Sequence, residues 1–218
     1  MRTDKELQRD VIDELNWIPA LSNEEIGVAV KDGVVTLSGE VSNYVKKYDA
    51  ERAAEKVHGV KAVAVDIDVK LPASSFHSDT DIAHEAVNAL KWDVQVPDDK
   101  ITLRVEDGCV ILDGKVEWQY QRAAAERAVR YLSGVKSVSN FIAVSPKKVS
   151  TFDVSQKIRA AFKRSAEIDS NRITVESSDG KVTLKGQVRS WAERRDAEGA
   201  AWSAPGVTQV DDRLAVTL

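Results

Sequence analysis

Apolar residues recur along this chain in one succession of rhythms, played three times. The first rhythm has helical spacing: Leu7, Val11, Ile12, Leu15, then Ile82, Ala86, Val87, Leu90, then Val154, Ile158, Ala161, Phe162. Steps of three and four put each set on one face of a helix. Thr3, Ser78 and Ser150 precede the three sets, with Glu6, Asp81 and Asp153 three residues on, the spacing of a capping box. The second rhythm alternates, as a half-buried strand does: Ile26, Val28, Val30; Ile101, Leu103, Val105; Ile173, Val175. An Asp-Gly pair follows each (32–33, 107–108, 179–180) and predicts a two-residue hairpin turn, because both central positions of a type I′ turn need positive φ. The second strand ends at Val41, Val116 and Val188, and its inner Gly39, Gly114 and Gly186 mark a bulge or the close approach of a helix.

A second helix carries small residues on one face: Ala50, Ala53, Ala54, Val57; Ala125, Ala128, Val129, Leu132; Ala197, Ala200, Ala201, Ala204. Gly59, Gly134 and Gly206 end it as left-handed C′ residues. A last strand runs through Val63, Val65, Ile67, Val69; Val138, Phe141, Ile142, Val144; Val210, Leu214, Val216, Leu218. The order is α-β-β-α-β. A right-handed strand–helix–strand crossover makes the second and third strands parallel. The predicted fold class is therefore α+β: three tandem repeats, over 3–70, 77–145 and 149–218, each a small three-stranded mixed sheet with two helices on one face. The linkers, residues 71–77 and 145–149, are short and each holds a proline, Pro72 and Pro146.

The repetition is also literal. Asp32-Gly33-Val34-Val35-Thr36-Leu37-Ser38-Gly39-Glu40-Val41 returns at 107–116 and 179–188, and Gly59-Val60-Lys61-Ala62-Val63 returns at 134–138 and 206–210 with constant separation. One folding unit in triplicate, with no reactive side chain common to the copies, points to a binding array rather than an enzyme. Net charge is −4, divided as −4, −1 and +1 over residues 1–71, 72–148 and 149–218. This balance speaks against nucleic acid, which needs concentrated Lys and Arg. No apolar run is long enough for a transmembrane segment. Residues 1–6 have no signal-peptide core, so the chain as written is expected to be cytoplasmic, or periplasmic if a signal peptide has been removed.

No cofactor motif is present, and no metal or catalytic set is expected. His77, Asp79, Asp81 and His84 have a metal-like spacing, but His84 aligns with Arg9 and Gln156, so a solvated linker and helix start is the reading preferred. Cys109 aligns with Val34 and Lys181 and reads as an ordinary strand residue; His58 aligns with Ser133.

The aromatics fall at one end of the predicted unit: Trp17 and Tyr44, then Trp92, Trp118 and Tyr120, then Trp191. Trp17 and Trp92 are equivalent, whereas the third copy has Arg164, which suggests contacts between repeats. Trp202 aligns with Glu55 and Arg130 and is expected on the exposed face of helix two. At the aromatic end of the third copy the topology gathers Lys163, Arg164, Arg189, Arg194 and Arg195 beside Trp191, a candidate contact for an anionic surface.

The signature Asp-Gly-x-Val-x-Leu-x-Gly-x-Val, a helix with Ala-Glu (50–51, 125–126, 197–198) and then Gly-Val-x-x-Val resembles the BON domain, in three copies covering nearly the whole chain. The third copy departs slightly, with Gly199 inside the helix and Pro205 before Gly206. The resemblance implies a non-enzymatic envelope or osmotic-stress protein without catalytic residues, with an anionic phospholipid surface or an envelope protein as partner. The other reading it leaves is a soluble protein-interaction scaffold without lipid contact.

Overall fold

The computed structural model describes residues 3–145, 154–165 and 168–217. The first repeat comprises α1 (Asp4–Asn16), β1 (Ile26–Lys31), β2 (Val34–Val41), α2 (Tyr44–Lys56) and β3 (Ala62–Val69). The second comprises α3 (Asp79–Trp92), β4 (Ile101–Glu106), β5 (Cys109–Val116), α4 (Gln119–Arg130), β6 (Ser137–Asn140) and β7 (Ala143–Val144). The third comprises α5 (Val154–Arg164), β8 (Ile173–Ser178), β9 (Lys181–Val188), α6 (Trp191–Trp202) and β10 (Gln209–Val216). Each central strand is flanked by the other two, in the orders β1-β2-β3, β4-β5-β6 and β10-β9-β8. The hairpins β4–β5 and β8–β9 are antiparallel, and the closing strands run parallel to β5 and β9. This is the predicted α+β architecture. The third helix-one cap, Ser150 with Asp153, the linker residues 146–149 and Leu218 lie outside the described residues.

By contacts the chain forms two compact units. One holds Met1–Ser38, Ala50–Asp66 and Pro146–Leu218; the other holds Gly39–Asp49 and Ile67–Ser145. The division runs through the first repeat. Its residues Tyr44 and Tyr48 belong with the second repeat, and its Glu55 and His58 with the third.

Alternation along the central strands puts one face under the helices. Val35, Leu37 and Val41 are buried in β2, Val110, Leu112 and Val116 in β5, and Val182, Leu184 and Val188 in β9. Ala124 and Ala125 on α4, and Ala197 and Ala201 on α6, are fully covered, so small residues let helix two lie close on the sheet. Phe162 fills the third core, where it is 1% exposed.

The Asp-Gly turns are type I′ as predicted: φ is 53° and 81° at Asp32 and Gly33, 50° and 78° at Asp107 and Gly108, and 47° and 79° at Asp179 and Gly180. The first residue of helix one holds the turn. Asp4 accepts from the Asp32 and Gly33 amides at 2.8 and 3.1 Å, and Asp79 accepts from those of Asp107 and Gly108 at 2.8 and 2.9 Å. The turn carbonyl is used as well. Gly33, Gly108 and Gly180 accept from the amides of Lys61, Lys136 and Thr208, where the closing strand begins. Capping boxes at Thr3–Glu6 and Ser78–Asp81 fix the helix starts that present these carboxylates.

Two local expectations change. Phe141 is 65% exposed, not a core residue. Asn140 interrupts the closing strand: its Oδ1 accepts from the Ile142 amide at 3.2 Å, which turns Ile142 inward and Phe141 out. Of the two readings of the inner glycine, the bulge holds and the approach of a helix does not: its neighbour is the backbone that leads into the first strand. At Gly114 (φ 143°) an added Cβ would lie 2.3 Å from the Lys100 carbonyl oxygen, and at Gly186 (φ 133°) 2.0 Å from that of Arg172. Gly114→Ala or Gly186→Ala is therefore expected to cost about 1–3 kcal/mol in backbone strain alone, seen as a lower urea midpoint. Asp79→Ala orphans two turn amides and should cost about 1.5–3 kcal/mol, with faster amide exchange confined to the β4–β5 hairpin.

Candidate functional site

The basic residues of the third repeat are largely engaged with acids of the fold. Arg194 donates from Nε to Asp212 at 2.6 Å and lies 4.6 Å over the Trp191 ring. Arg189 pairs at 3.4 Å with Glu193, a buried carboxylate that also accepts from the amides of Asp169 and Arg189 at 2.9 and 2.7 Å. Arg195 forms an ion pair with Glu55 of the first repeat. On the sheet, Lys185 pairs with Glu176, and both Lys181 and Arg213 pair with Asp211. The hydrogen bond from Arg213, helped by Lys181, holds the Asp211 carboxyl below the usual carboxylate range. Lys163 and Arg164, at the end of α5, form no ion pair among the described residues. Of the five cations gathered by the sequence pattern, three are thus neutralised within the protein. Trp191 is half-buried beneath Arg194, with its indole nitrogen enclosed and unpartnered, so it does not project toward a surface.

The recurring cation of helix two has a structural task. Lys47, Arg122 and Arg194 are equivalent. Arg122 and Arg194 reach the carbonyls of Asn140 and Asp212 in the closing strand, and Lys47 that of Ile67. Each clips helix two to the strand that follows it. The signal lay in the sequence as a basic residue at one register position of all three copies.

Position 55/130/202 is also recast. Glu55 pairs with Arg195, and Arg130 lies 3.6 Å over the Tyr48 ring with 9% of its surface exposed. Trp202 is half-buried against the third core, donating from Nε1 to Glu198 at 3.3 Å. Polar residues in two copies implied an exposed face, yet this face of helix two is covered in every copy. In two copies its cover is another repeat, which a single-unit alignment does not show. His58 belongs to the same set: its Nδ1 lies 2.8 Å from the Arg189 carbonyl. Tyr44 packs against the second core.

Trp17 and Trp92 are not core residues of their own repeats: they stand 83% and 88% exposed, just beyond the last buried turn of α1 and α3 at Leu15 and Leu90. Val94, 97% exposed, follows Trp92. Within each compact unit, Tyr44, Tyr48, Glu55 and His58 of the first repeat make contacts with another repeat. Trp118 and Tyr120 stack with centroids 6.5 Å apart, Tyr120 on the outside.

The metal-like run has other duties. Asp79 holds the hairpin turn and Asp81 caps α3, its carboxyl kept below the usual range by the Ser78 hydroxyl at 2.6 Å. Among the described residues no group of three or more His, Cys, Asp and Glu converges on one point. No described helix is long and apolar enough to cross a membrane.

The BON domain family model matches residues 3–70, 78–146 and 150–217. Osmotically-inducible protein Y of Escherichia coli (strain K12) is 32% identical over 124 residues, which are 55% of this chain and 62% of that protein. An uncharacterized protein in the gshII 5′ region of Anaplasma centrale is 34% identical over 116 residues, 50% of this chain and 77% of its own. The chain thus matches less than two thirds of the first of these relatives. Among solved structures, CdsD, a structural protein of the type III secretion system of Chlamydia trachomatis, aligns at 16% identity and a TM-score of 0.28 over 96% of this chain and 91% of that one. Three family matches, together spanning almost every residue, make this chain a member of the BON domain family.

Proposed function

We propose that this chain is a non-enzymatic binding protein of the osmotic-stress response that rests on phospholipid surfaces through Trp17 and Trp92. The observation that carries the reading is their equivalence and exposure: two indoles at one register position, 83% and 88% exposed. An indole presents a large apolar ring with one polar N–H and is favoured at the membrane–water boundary. Val94 widens the apolar tip of the second repeat. The pairing of Arg189, Arg194 and Arg195 weakens the case for attachment by charge at the third repeat. The similarity to an osmotically-inducible protein supports the stress association. An envelope protein is the other surface that exposed indoles fit, and vesicles separate the two.

Co-sedimentation is the test, with vesicles of phosphatidylcholine alone and of phosphatidylcholine with phosphatidylglycerol. Burying a large apolar side chain is worth about 1.5–3 kcal/mol. Trp17→Ala and Trp92→Ala are therefore each expected to weaken attachment about tenfold or more. Salt should change it little, because the contact is mainly apolar. Failure of the wild-type chain to bind either vesicle would leave the protein-interaction reading. Arg195→Glu places a like charge against Glu55 in a partly buried pair. It should lower stability by about 1–2 kcal/mol while leaving vesicle binding unchanged, as thermal melting and co-sedimentation will read.

A further inference from the structure

The first strand of each repeat is a sheet edge, and the copies treat that edge differently. In the first repeat Gln8 of α1 donates from Nε2 to the Val28 carbonyl at 2.6 Å. In the third, Arg159 of α5 donates from Nη2 to the Val175 carbonyl at 2.9 Å. Val28 and Val175 are equivalent, and Leu103 is their counterpart in the second repeat. There the two helix positions that supply Gln8 and Arg159 hold Ala83 and Val87. Among the described residues no side chain donates to the Leu103 carbonyl, and a groove of about 630 Å³ opens between α3 and β4, floored by Ala83, Val87, Leu90, Ile101, Leu103 and Val105.

The hairpin register fixes which backbone groups point out. Glu106 and Cys109 flank the two-residue turn as a bonded pair, so Glu106, Arg104 and Thr102 face β5. Ile101, Leu103 and Val105 then direct their N–H and C=O groups to the open side. Such an edge is a template for another strand unless something blunts it. Gln8 and Arg159 are blunting devices, since a side-chain N–H occupies the place of a strand's amide.

We infer that the second repeat joins two copies of this chain through β4, in antiparallel pairing about a two-fold axis at Leu103. Charge complementarity selects the second copy as occupant and selects the register. With the axis at Leu103, Ile101 pairs with Val105 of the second copy by backbone hydrogen bonds. Lys100 stands opposite the second copy's Glu106, and Thr102 opposite its Arg104. An axis at Arg104 would set two guanidinium groups face to face, which is unfavourable. An axis at Val105 would run into the Asp107-Gly108 turn after two residues. The helices agree with the first register. Asp79 at the start of α3 binds the turn that ends β4, so α3 runs antiparallel to β4. The same axis lays α3 of the two copies antiparallel, with the small Ala83 and Val87 facing each other and Lys91 of one near Asp79 of the other. Each groove closes against its twin in an isologous contact. This assembly does not depend on the lipid reading above.

Sedimentation of the full chain is the test. The mass is expected to double from 24.0 kDa as concentration rises through the micromolar range. Ala83→Gln with Val87→Arg copies the blunting residues of the other repeats and should leave a folded monomer with an unchanged melting temperature. Glu106→Lys sets lysine against Lys100 and should weaken association at least tenfold, and adding Lys100→Glu should restore it. A wild-type chain that stays monomeric at high micromolar concentration overturns the inference, whatever peptide or lipid enters the groove. So does dimerisation that survives Ala83→Gln with Val87→Arg, or a charge exchange that fails to rescue Glu106→Lys.

Discussion

The two-residue turn at Asp-Gly is the point on which each repeat is assembled. A type I′ turn leaves two amides and two carbonyls, the glycine's among them, unused by the hairpin. In the first two repeats the amides go to the carboxylate that opens helix one, Asp4 or Asp79. In all three the glycine carbonyl goes to the strand that closes the unit. Three segments far apart in sequence therefore meet on two residues. Their positive φ angles explain why the pair is Asp-Gly each time: glycine accepts that conformation freely, and aspartate is among the few residues that tolerate it. A unit of about 70 residues has little core to spare, so bonds that fix the relative place of helix, hairpin and closing strand count heavily in its stability.

Helix two shows how one scaffold serves different contacts. Its inner face is alanine in every copy and meets the sheet. Its cation at 47, 122 or 194 binds the closing strand. Its position 55, 130 or 202 is covered each time, by an ion pair, an aromatic ring or the repeat's own core. The chemistry at that position follows the neighbour, so the copies diverge there while the backbone stays the same. A buried Arg130 over Tyr48 is tolerable because the ring face and Glu126 replace lost water.

The exposed indoles and the uncapped edge of β4 are the places where local rules of stability are not obeyed. Leaving Trp17 and Trp92 in solvent forgoes the gain from burying two large rings. Leaving β4 open retains a hazard that Gln8 and Arg159 remove elsewhere in the same chain. Departures from such rules concentrate where a protein meets something else. The third repeat departs least. Its cations are mostly paired, its edge is capped, and its tryptophans are half-buried.

Much of this was written in the sequence. The period of three and four at 7–15, the alternation at 26–30 and the Asp-Gly pairs specified elements, order and strand direction, because these depend on interactions within a few residues or on backbone geometry alone. Threefold repetition then made the assignment redundant and carried the family resemblance. The side-chain assignments needed the tertiary structure. Arg194 and Arg195 read as free cations because their acids, Asp212 and Glu55, stand in other elements, one of them in another repeat. Trp202 read as exposed because its equivalents are charged, yet charge at that position meant a partner and not water. Trp17 and Trp92 read as contacts between repeats because the third copy, the last in the series, has Arg164 in their place. Burial depends on what lies across from a residue, and that is settled only when segments distant in the chain are brought together.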